Sequence, residues 1–398
     1  MPWNARTALE QRRKFVEERQ LEQDDFAELC RKYGISRQTG YKWVKRFEAQ
    51  GVAGLEDLSR SPHDSPQAMS TEVAVRVIEL RQQHPRWGPR KLRVYLENRH
   101  PGQHWPATSS IGELLQREGL AQARRVRRRA PRYSEPLAHA GAPNQVWCAD
   151  FKGWFRCGNG ERCDPLTISD AFSRYLLRCR AVEKTDGVHV RGIFEAVFRE
   201  CGLPEAIRTD NGPPFVAAPA PAGLSRLSMW WLRLGIRHER IAPGHPEQNG
   251  RHERMHQTLK QETATPPAPN LRRQQESFIR FQREYNQQRP HEALEYQTPA
   301  SLYAASTRRY PARLPEPEYP ENSRLRKVGQ SGLMNWKNRE VFVSMVLGGE
   351  YVGLLQTEEN FHEVYYGPVL LGWLDEKESY FAADAGAEPK RRRSPKTP

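Results

Sequence analysis

The order of helices and strands expected between residues 145 and 265 constrains this fold more than any other feature. The segments QVWCADFKGWF and ERCDPLTISDAFSRYLLRCRAV predict three consecutive strands, with a turn near 172–174. The chain then alternates between a helix over 186–201, the strand in AIRTDNG, the helix in LSRLSMWWLRLGI, the strand in RHERIA and the helix in GRHERMHQTLKQE. This order predicts an α/β domain in which one mixed sheet is covered by helices on both faces.

A short helical unit is expected before this sheet, over residues 1–50. In DDFAELCRKYGISRQTGYKWVKRF, Gly34 breaks one helix and Ser36 can cap the next, which is typical of a helix-turn-helix. A solvated helical hairpin is the alternative interpretation, and Gly40 on the buried face suggests loose packing there. The opposite face of the second helix would contact DNA in the major groove through Arg37, Gln38, Tyr41, Lys42, Lys45 and Arg46.

A second unit of the same kind is predicted over residues 71–122, after a linker over 51–70 that is rich in Gly, Pro and Ser. Its third helix begins near Thr108, Ser109 and Ser110, which we expect to contact DNA. Two linked modules would read a longer DNA site than either module alone. A basic linker over 123–144 follows, and its arginines should track phosphates: Arg124, Arg125, Arg127, Arg128 and Arg129.

The distribution of charge supports a polyanionic partner. The 398 residues carry a formal net charge of +14. Residues 1–132 hold 26 basic and 16 acidic side chains, and the last nine residues, KRRRSPKTP, add five more cations. Basic ends around a balanced middle favour double-stranded DNA as the partner, with a merely solubilising surface as the alternative.

Several classes of protein are disfavoured by what the sequence lacks. No run approaches the roughly 18 apolar residues of a membrane span, so no membrane partner is expected. The N-terminal residues have no apolar segment of the signal-peptide type, and the six cysteines form no paired framework. These features predict a cytoplasmic protein. A zinc site at Cys157 and Cys163 would need two further ligands, and a hairpin is the better interpretation.

The C-terminal part of the chain shows strand signals only. EVFVSMVL, EYVGLLQT and HEVYYGPVLLGWL predict a small β-barrel over 321–381. Residues 382–398 are expected to be a basic disordered tail.

Three carboxylates occupy positions from which they can converge. Asp150 ends the first predicted strand, Asp210 follows the strand AIRT, and Glu253 lies in the first turn of a helix. Three such groups form an oxygen-only site suited to Mg²⁺ or Mn²⁺. Each acid alone is also compatible with a turn-forming role. Asp170 is a fourth acid in this region, and we expect it to shape a turn with Ser173 and Arg174.

The segments WCADFKGWF, IRTDNGPPF, GHPEQNGRHERMHQTLK and YNQQRPHEAL, in this order, resemble transposases of bacterial insertion sequences with a retroviral-integrase type catalytic core. The insertion sequence 481 group is the most similar. The resemblance spans most of residues 1–305. It implies a multidomain α plus α/β protein with an RNase H-like core over 145–305 and a DDE triad formed by Asp150, Asp210 and Glu253.

The third acid of the triad has a competitor in Glu247. Asp210 and Glu253 enclose 42 residues, whereas Asp210 and Glu247 enclose 36. We favour Glu253 because the family's acid follows Asn-Gly by a few residues on a helix. The Pro/Ala-rich loop over 216–223 accounts for the extra length.

The resemblance implies a transposase that binds the terminal inverted repeats of its element and catalyses metal-dependent strand cleavage and strand transfer. Two divalent ions per site would support in-line displacement at phosphorus. His256 or Gln257, together with Lys260, would hold the DNA end on the Glu253 helix. A homo-oligomer on DNA in the bacterial nucleoid is expected. The alternatives are a non-catalytic DNA-binding regulator derived from a transposase and a plain RNase H-like nuclease.

Overall fold

The computed structural model describes residues 8–21, 25–58, 69–121, 140–241, 250–358 and 360–383, except for the side chains of 250 and 251. Three predicted features lie outside these residues: Glu247, positions 384–398 of the basic tail, and the five phosphate-tracking arginines (Arg124, Arg125, Arg127, Arg128 and Arg129). Position 382 belongs to a strand, so the predicted tail begins too early. The chain forms two compact units, 1–70 and 71–398, which are described separately. Among the described residues, no helix combines the length and apolarity needed to cross a bilayer.

The first unit contains three helices, α1 (Ala8–Gln20), α2 (Phe26–Lys32) and α3 (Arg37–Gln50). Ser36 caps α3, and its side chain accepts a hydrogen bond from the backbone N–H of Thr39 at 3.1 Å. The three helices enclose an apolar cluster built around Phe15, Leu29 and Trp43.

Gly40 is packed closely, so the prediction of loose packing at this position was wrong. A Cβ atom at Gly40 would lie only 2.8 Å from Sγ of Cys30 and 3.0 Å from the ring of Phe15. Glycine therefore lets α3 approach the two preceding helices more closely than any residue with a side chain would allow.

The second unit begins with a helical module of three helices, as the sequence predicts. These are α4 (Thr71–Gln83), α5 (Pro89–Arg99) and α6 (Thr108–Arg117). Val77, Leu92 and Ile111 supply one fully buried residue from each helix. Pro89 opens α5, a position where its missing N–H costs no helical hydrogen bond.

A mixed sheet follows the helical module. Its strands are β1 (Val146–Phe151), β2 (Phe155–Arg156), β3 (Arg162–Asp170), β4 (Leu176–Val182), β5 (Ala206–Thr209) and β6 (Arg237–Arg240). β3 pairs antiparallel with both β1 and β4, whereas β5 pairs parallel with β1 and with β6. The short hairpin β2–β3 contains Cys157 and Cys163, as expected.

Helices cover the sheet on both faces, which confirms the predicted architecture. They are α7 (Gly187–Cys201), α8 (Arg226–Arg233), α9 (Gly250–Thr263), α10 (Leu271–Gln287) and α11 (Pro299–Leu302). Phe194 and Trp231 belong to the apolar cluster that includes Trp147 of β1, whereas Met255 and Phe278 share another cluster with Cys179 of β4. Trp230 and Trp231 are core residues, as predicted.

The helical module contacts the core at α10 and at the turn that follows it. Nδ1 of His84 lies 2.9 Å from Oε1 of Glu284 on α10, and the His84 ring stacks on Trp87 at 3.9 Å. The Arg90 guanidinium lies 4.4 Å from the centroid of the Tyr296 ring.

The C-terminal region is antiparallel β structure. It contains β7 (Arg324–Lys327), β8 (Leu333–Trp336), β9 (Arg339–Phe342), β10 (Tyr351–Glu358), β11 (Phe361–Tyr366), β12 (Val369–Asp375) and β13 (Tyr380–Ala382). β13, β12, β11, β10 and β7 form a five-stranded sheet in that order, and β8 and β9 form a hairpin. Leu224 and Met229, from the part of the chain that surrounds the mixed sheet, lie in the same apolar cluster as these strands.

Candidate active site

The first two predicted acids occupy equivalent positions on neighbouring strands. β1 and β5 run parallel, and Cys148 is paired with Arg208. Asp150 lies two residues after Cys148, and Asp210 lies two residues after Arg208. Since side chains alternate along a strand, an offset of two keeps both carboxylates on the same face at the carboxyl end of the sheet.

The third acid lies on α9, the helix that packs beside these strand ends. Glu253 is in the first turn of α9 and is exposed. His252, Met255, His256 and Leu259 of the same helix are buried, so α9 is held against the sheet by the face next to Glu253. The described residues thus bring Glu253 to the side of the sheet where Asp150 and Asp210 end their strands.

The charges of the other two acids act on Asp150. The pKa of Asp150 is raised to about 7, mainly by burial and also by the negative charges of Asp210 and Glu253. The backbone N–H of Phe151 and the charge of Lys152 act in the opposite direction. A carboxylate that is both buried and repelled by two others gains a large electrostatic stabilisation from a cation.

The turn after β5 leaves the Asp210 carboxylate accessible. Gly212 donates its backbone N–H to Oδ1 of Asp210 at 3.1 Å. A Cβ atom at Gly212 would lie 3.1 Å from Oδ2 of Asp210, so a side chain there would crowd the carboxylate. Asn211 donates from Nδ2 to the carbonyl of Ile241 at 2.9 Å and ties this turn to the end of β6.

A buried chain of polar side chains lies behind Asp150, and we call it the His–Thr chain (Ser169, His252, Thr167 and His256). Oγ1 of Thr167 lies 2.7 Å from Nε2 of His252 and 2.6 Å from Nε2 of His256. Oγ of Ser169 lies 3.1 Å from Nδ1 of His252, and Nδ1 of His256 lies 3.7 Å from Oδ2 of Asp150. The chain therefore runs from β3 through α9 to the carboxylate on β1.

The single hydroxyl hydrogen of Thr167 restricts how this chain can be protonated. Oγ1 of Thr167 contacts two imidazole nitrogens and also lies 3.2 Å from the backbone carbonyl of Asp150, to which its hydroxyl can donate. Since the hydroxyl has one hydrogen, at least one histidine must donate to Oγ1. Burial lowers the pKa of His252 to about 3 and lowers that of His256 as well, which keeps both rings neutral.

Among the described residues, the group of possible metal ligands that lie close together is Asp150, His252 and His256, with one atom of each within 4.8 Å of the others. Asp210 and Glu253 do not belong to this group. Both ring nitrogens of His252 already face hydroxyl groups, and Nε2 of His256 does too. A metal ion in this cluster would have to displace those hydrogen bonds. The sequence analysis missed this arrangement, although histidines four residues apart on one helix were a usable signal.

The predicted DNA contact of His256 is not supported by its position. Its side chain is 3% exposed and faces Thr167, so it is not presented to a ligand in solvent. Gln257, which the sequence analysis offered as the alternative, and Lys260 are exposed on the same helix. We retain these two residues and leave His256 out of the proposed DNA contacts.

Most of the predicted contact residues on α3 are exposed: Arg37, Gln38, Tyr41, Lys42 and Lys45. Arg46 differs, because its guanidinium donates to the carbonyl of Glu56 at 2.6 Å and lies 4.8 Å from the Trp43 ring centroid. In the helical module, Ser109 is exposed, whereas Thr108 and Ser110 are half-buried.

Asp170 has the turn-shaping role that the sequence predicts. Its carboxylate accepts hydrogen bonds from the backbone N–H and the hydroxyl of Ser173, at 2.7 and 2.6 Å, and from the backbone N–H of Asn144 at 2.7 Å. These donors occupy the carboxylate and fix the β3–β4 turn.

Four family models match this chain. Integrase core domain models match residues 140–246 and 234–299. A helix-turn-helix domain model matches residues 11–63, and a homeodomain-like domain model matches residues 39–115.

Two curated relatives come from bacterial insertion elements. The insertion element IS407 31.7 kDa protein of Burkholderia multivorans is 31% identical over 255 residues, which are 63% of this chain and 88% of the relative. The insertion element IS476 39.2 kDa protein of Xanthomonas euvesicatoria is 28% identical over 273 residues, which are 68% of this chain and 75% of that protein.

Among solved structures, the HTLV-2 integrase catalytic core domain in complex with magnesium is similar over 42% of this chain and 99% of its own, with 17% identity and a TM-score of 0.32. The family assignment rests on the sequence matches, which cover the helical units and the core. The chain belongs to the bacterial insertion-sequence transposases that carry an integrase-type catalytic core.

Proposed function

We propose that this transposase binds the terminal inverted repeats of its element and catalyses metal-dependent strand cleavage and strand transfer. In this proposal, Asp150, Asp210 and Glu253 are the catalytic acids. The observation that carries the proposal is the parallel pairing of β1 with β5, which puts Asp150 and Asp210 at neighbouring strand ends. The raised pKa of Asp150 supports it, because its causes include the charges of both other acids. Three separate segments of the chain therefore contribute to one electrostatic site.

The donor set fits divalent magnesium or manganese. All three groups offer carboxylate oxygens, the ligands that these ions prefer, and Asp150 is buried enough to favour a bound cation. Two such ions would activate the attacking oxygen, stabilise the leaving oxygen and neutralise charge on the phosphate. Asp150 would contribute to holding both ions, and Asp210 and Glu253 would each hold one.

The protein's own residues bind and orient the DNA. The exposed α3 face of the first unit and the start of α6 would select the element end. Gln257 and Lys260, one and two turns beyond Glu253 on α9, would hold the phosphates next to the acids. The His–Thr chain would keep Asp150 directed at the same point throughout the two steps.

The first test compares Asp210→Asn with Asp186→Asn. The latter is a matched control, because Asp186 is an exposed cap of α7 and asparagine can also cap a helix. Each full-length variant is incubated with Mn²⁺ or Mg²⁺ and DNA from the two ends of the insertion element. We expect Asp210→Asn to lose strand transfer while it binds the ends nearly as well as the unmodified protein, and Asp186→Asn to remain active.

A non-catalytic regulator is the alternative function. Strand transfer by Asp210→Asn at the level of the unmodified protein would disprove the proposed triad. Absence of cleavage by the unmodified protein on correctly bound ends would favour the regulator instead.

A further inference from the structure

Trp154 is exposed next to the candidate active site. Its side chain is 56% exposed, whereas every other described tryptophan is buried or half-buried. Trp154 follows Asp150 by only four residues, in the segment between β1 and β2. More than half of this residue is thus accessible to a ligand.

Two arginines brace the Trp154 ring. The guanidinium of Arg162 lies 5.2 Å from the ring centroid, and that of Arg156 lies 5.9 Å away. Both arginines have partners of their own: Arg162 contacts Asp164 at 2.6 Å, and Arg156 donates to the carbonyl of Gly160 at 2.8 Å. The aromatic group is therefore held in a positively charged setting that suits a polyanion.

The same surface reaches the helix that carries Glu253. Trp154 and Lys152 line a small pocket of about 110 Å³ together with Lys260 of α9. The charge of Lys152 acts on Asp150, and Lys260 lies seven residues beyond Glu253 on one face of the helix. One aromatic face and two cations thus border the site from both sides.

We propose that Trp154 is a stacking platform for an unpaired base at the DNA end, with Lys152 and Lys260 holding the neighbouring phosphates. A paired base inside a duplex has both faces covered, so only an unpaired or terminal base offers a face to an indole. Cations beside an exposed aromatic ring form the general arrangement by which proteins bind single-stranded DNA. The inference rests on the proposed function and adds the substrate class of the site, a single-stranded DNA end.

The experiment uses the full-length chain with Asp210→Asn in EDTA, so that binding is measured without metal and without catalysis. The probe is an oligothymidylate of about 12 nucleotides that carries one 2-aminopurine, whose fluorescence is quenched when it stacks on an aromatic ring. A second probe carries 5-iodouracil, and its photo-crosslink is mapped by mass spectrometry.

We expect the 2-aminopurine to be quenched and the crosslink to map to Trp154. Trp154→Ala should remove both signals and weaken binding about 5- to 150-fold, which corresponds to the about 1–3 kcal/mol lost with one base–aromatic stack. Trp154→Phe should retain part of the quenching. Tyr380→Ala is the matched control, since Tyr380 is 65% exposed on the C-terminal sheet, and it should behave like the parent protein.

Unchanged quenching and affinity in Trp154→Ala would overturn the proposal. An equal effect of Trp154→Ala on a blunt duplex would overturn the assignment to single strands, and no effect on any DNA probe would point to a protein partner. Because these measurements need no catalysis, their failure is separate from failure of the triad, which Asp210→Asn tests with metal present.

Discussion

His84 and Glu284 join the helical module to the catalytic core, with Nδ1 and Oε1 2.9 Å apart and the histidine side chain only 11% exposed. The His84 ring also stacks on Trp87, which is fully buried within the module. The helical module is therefore anchored on α10 at a defined place.

Loss of this anchor should loosen the module without unfolding it. His84→Ala should speed amide hydrogen exchange in α4 and α5 in the full-length protein, because the contact with Glu284 and the stacked ring are both removed. His104→Ala is the control, since His104 is exposed. Equal exchange in the two variants, measured by mass spectrometry, would show that the His84 contact does not hold the module.

Asp150 should make the metal-free protein less stable as the pH rises. Its pKa is about 7 in the folded state against an ordinary value of 3.8, so between these values the folded protein keeps a proton that the unfolded chain has released. The free energy of unfolding therefore falls as pH rises from about 4 to 7. At pH 8, Asp150→Asn should be more stable than the unmodified protein, by at most about 4 kcal/mol, since one pKa unit corresponds to about 1.4 kcal/mol.

Thermal or urea unfolding in EDTA at pH 5 and pH 8 measures this effect. Asp186→Asn is the control: hydrogen bonds from the start of α7 lower the pKa of Asp186, so its contribution is lost only below about pH 4. This variant should therefore change the stability equally at pH 5 and at pH 8. An equal stability difference at pH 5 and pH 8 for Asp150→Asn would contradict the prediction.

Thr167 should be needed for both stability and metal binding. Thr167→Val removes the hydroxyl between two buried imidazoles, and leaving such groups without a partner costs about 1–3 kcal/mol. We expect a lower free energy of unfolding and a higher Mn²⁺ concentration for half-maximal activity, because Asp150 loses its support. Thr167→Ser keeps the hydroxyl and should restore both. If Thr167→Ser loses as much stability and Mn²⁺ affinity as Thr167→Val, the hydroxyl group is not responsible for these properties.

Substitutions of Lys45 and Arg46 should have different effects in the first unit: the first on DNA binding and the second on stability. Lys45→Ala should reduce the slope of log affinity against log salt concentration by about one, with no change in stability, since Lys45 is exposed and each phosphate contact contributes about 0.9. Arg46→Ala should lower the melting temperature instead, because Arg46 bonds Glu56 and covers Trp43. Filter binding at several salt concentrations and calorimetry test the pair. A loss of stability in Lys45→Ala would contradict the assignment of Lys45 as a DNA contact without a structural role.

Local patterns were sufficient for the helices and strands of the core. Asp150 and Asp210 lie at strand ends and Glu253 lies in the first turn of α9, as expected. Their assembly into one metal site stays a prediction, because the cluster of possible metal ligands among the described residues is Asp150, His252 and His256. The helical period of α9 alone could not show which polar residues point inward. His256 was expected to face DNA, yet its partner Thr167 lies 89 residues earlier in the chain.

Packing between segments explains the other differences. The close approach at Gly40 depends on how three helices meet, and the hydrogen bond from Arg46 depends on the backbone beyond α3. Neither contact follows from the helical or strand periodicity of the sequence. Residue types predicted which faces would be buried but not which polar atoms would find partners there.

Leu224 and Met229 share an apolar cluster with the C-terminal strands, and this cluster limits where the chain can be truncated. Arg308 strengthens the connection, since its guanidinium donates to the carbonyls of Pro204, Leu234 and Gly235. A truncated polypeptide that ends at residue 305 would expose apolar side chains of α8 to water and would tend to aggregate. The C-terminal strands up to residue 383 should therefore be expressed together with the catalytic core, as one cooperatively folding domain.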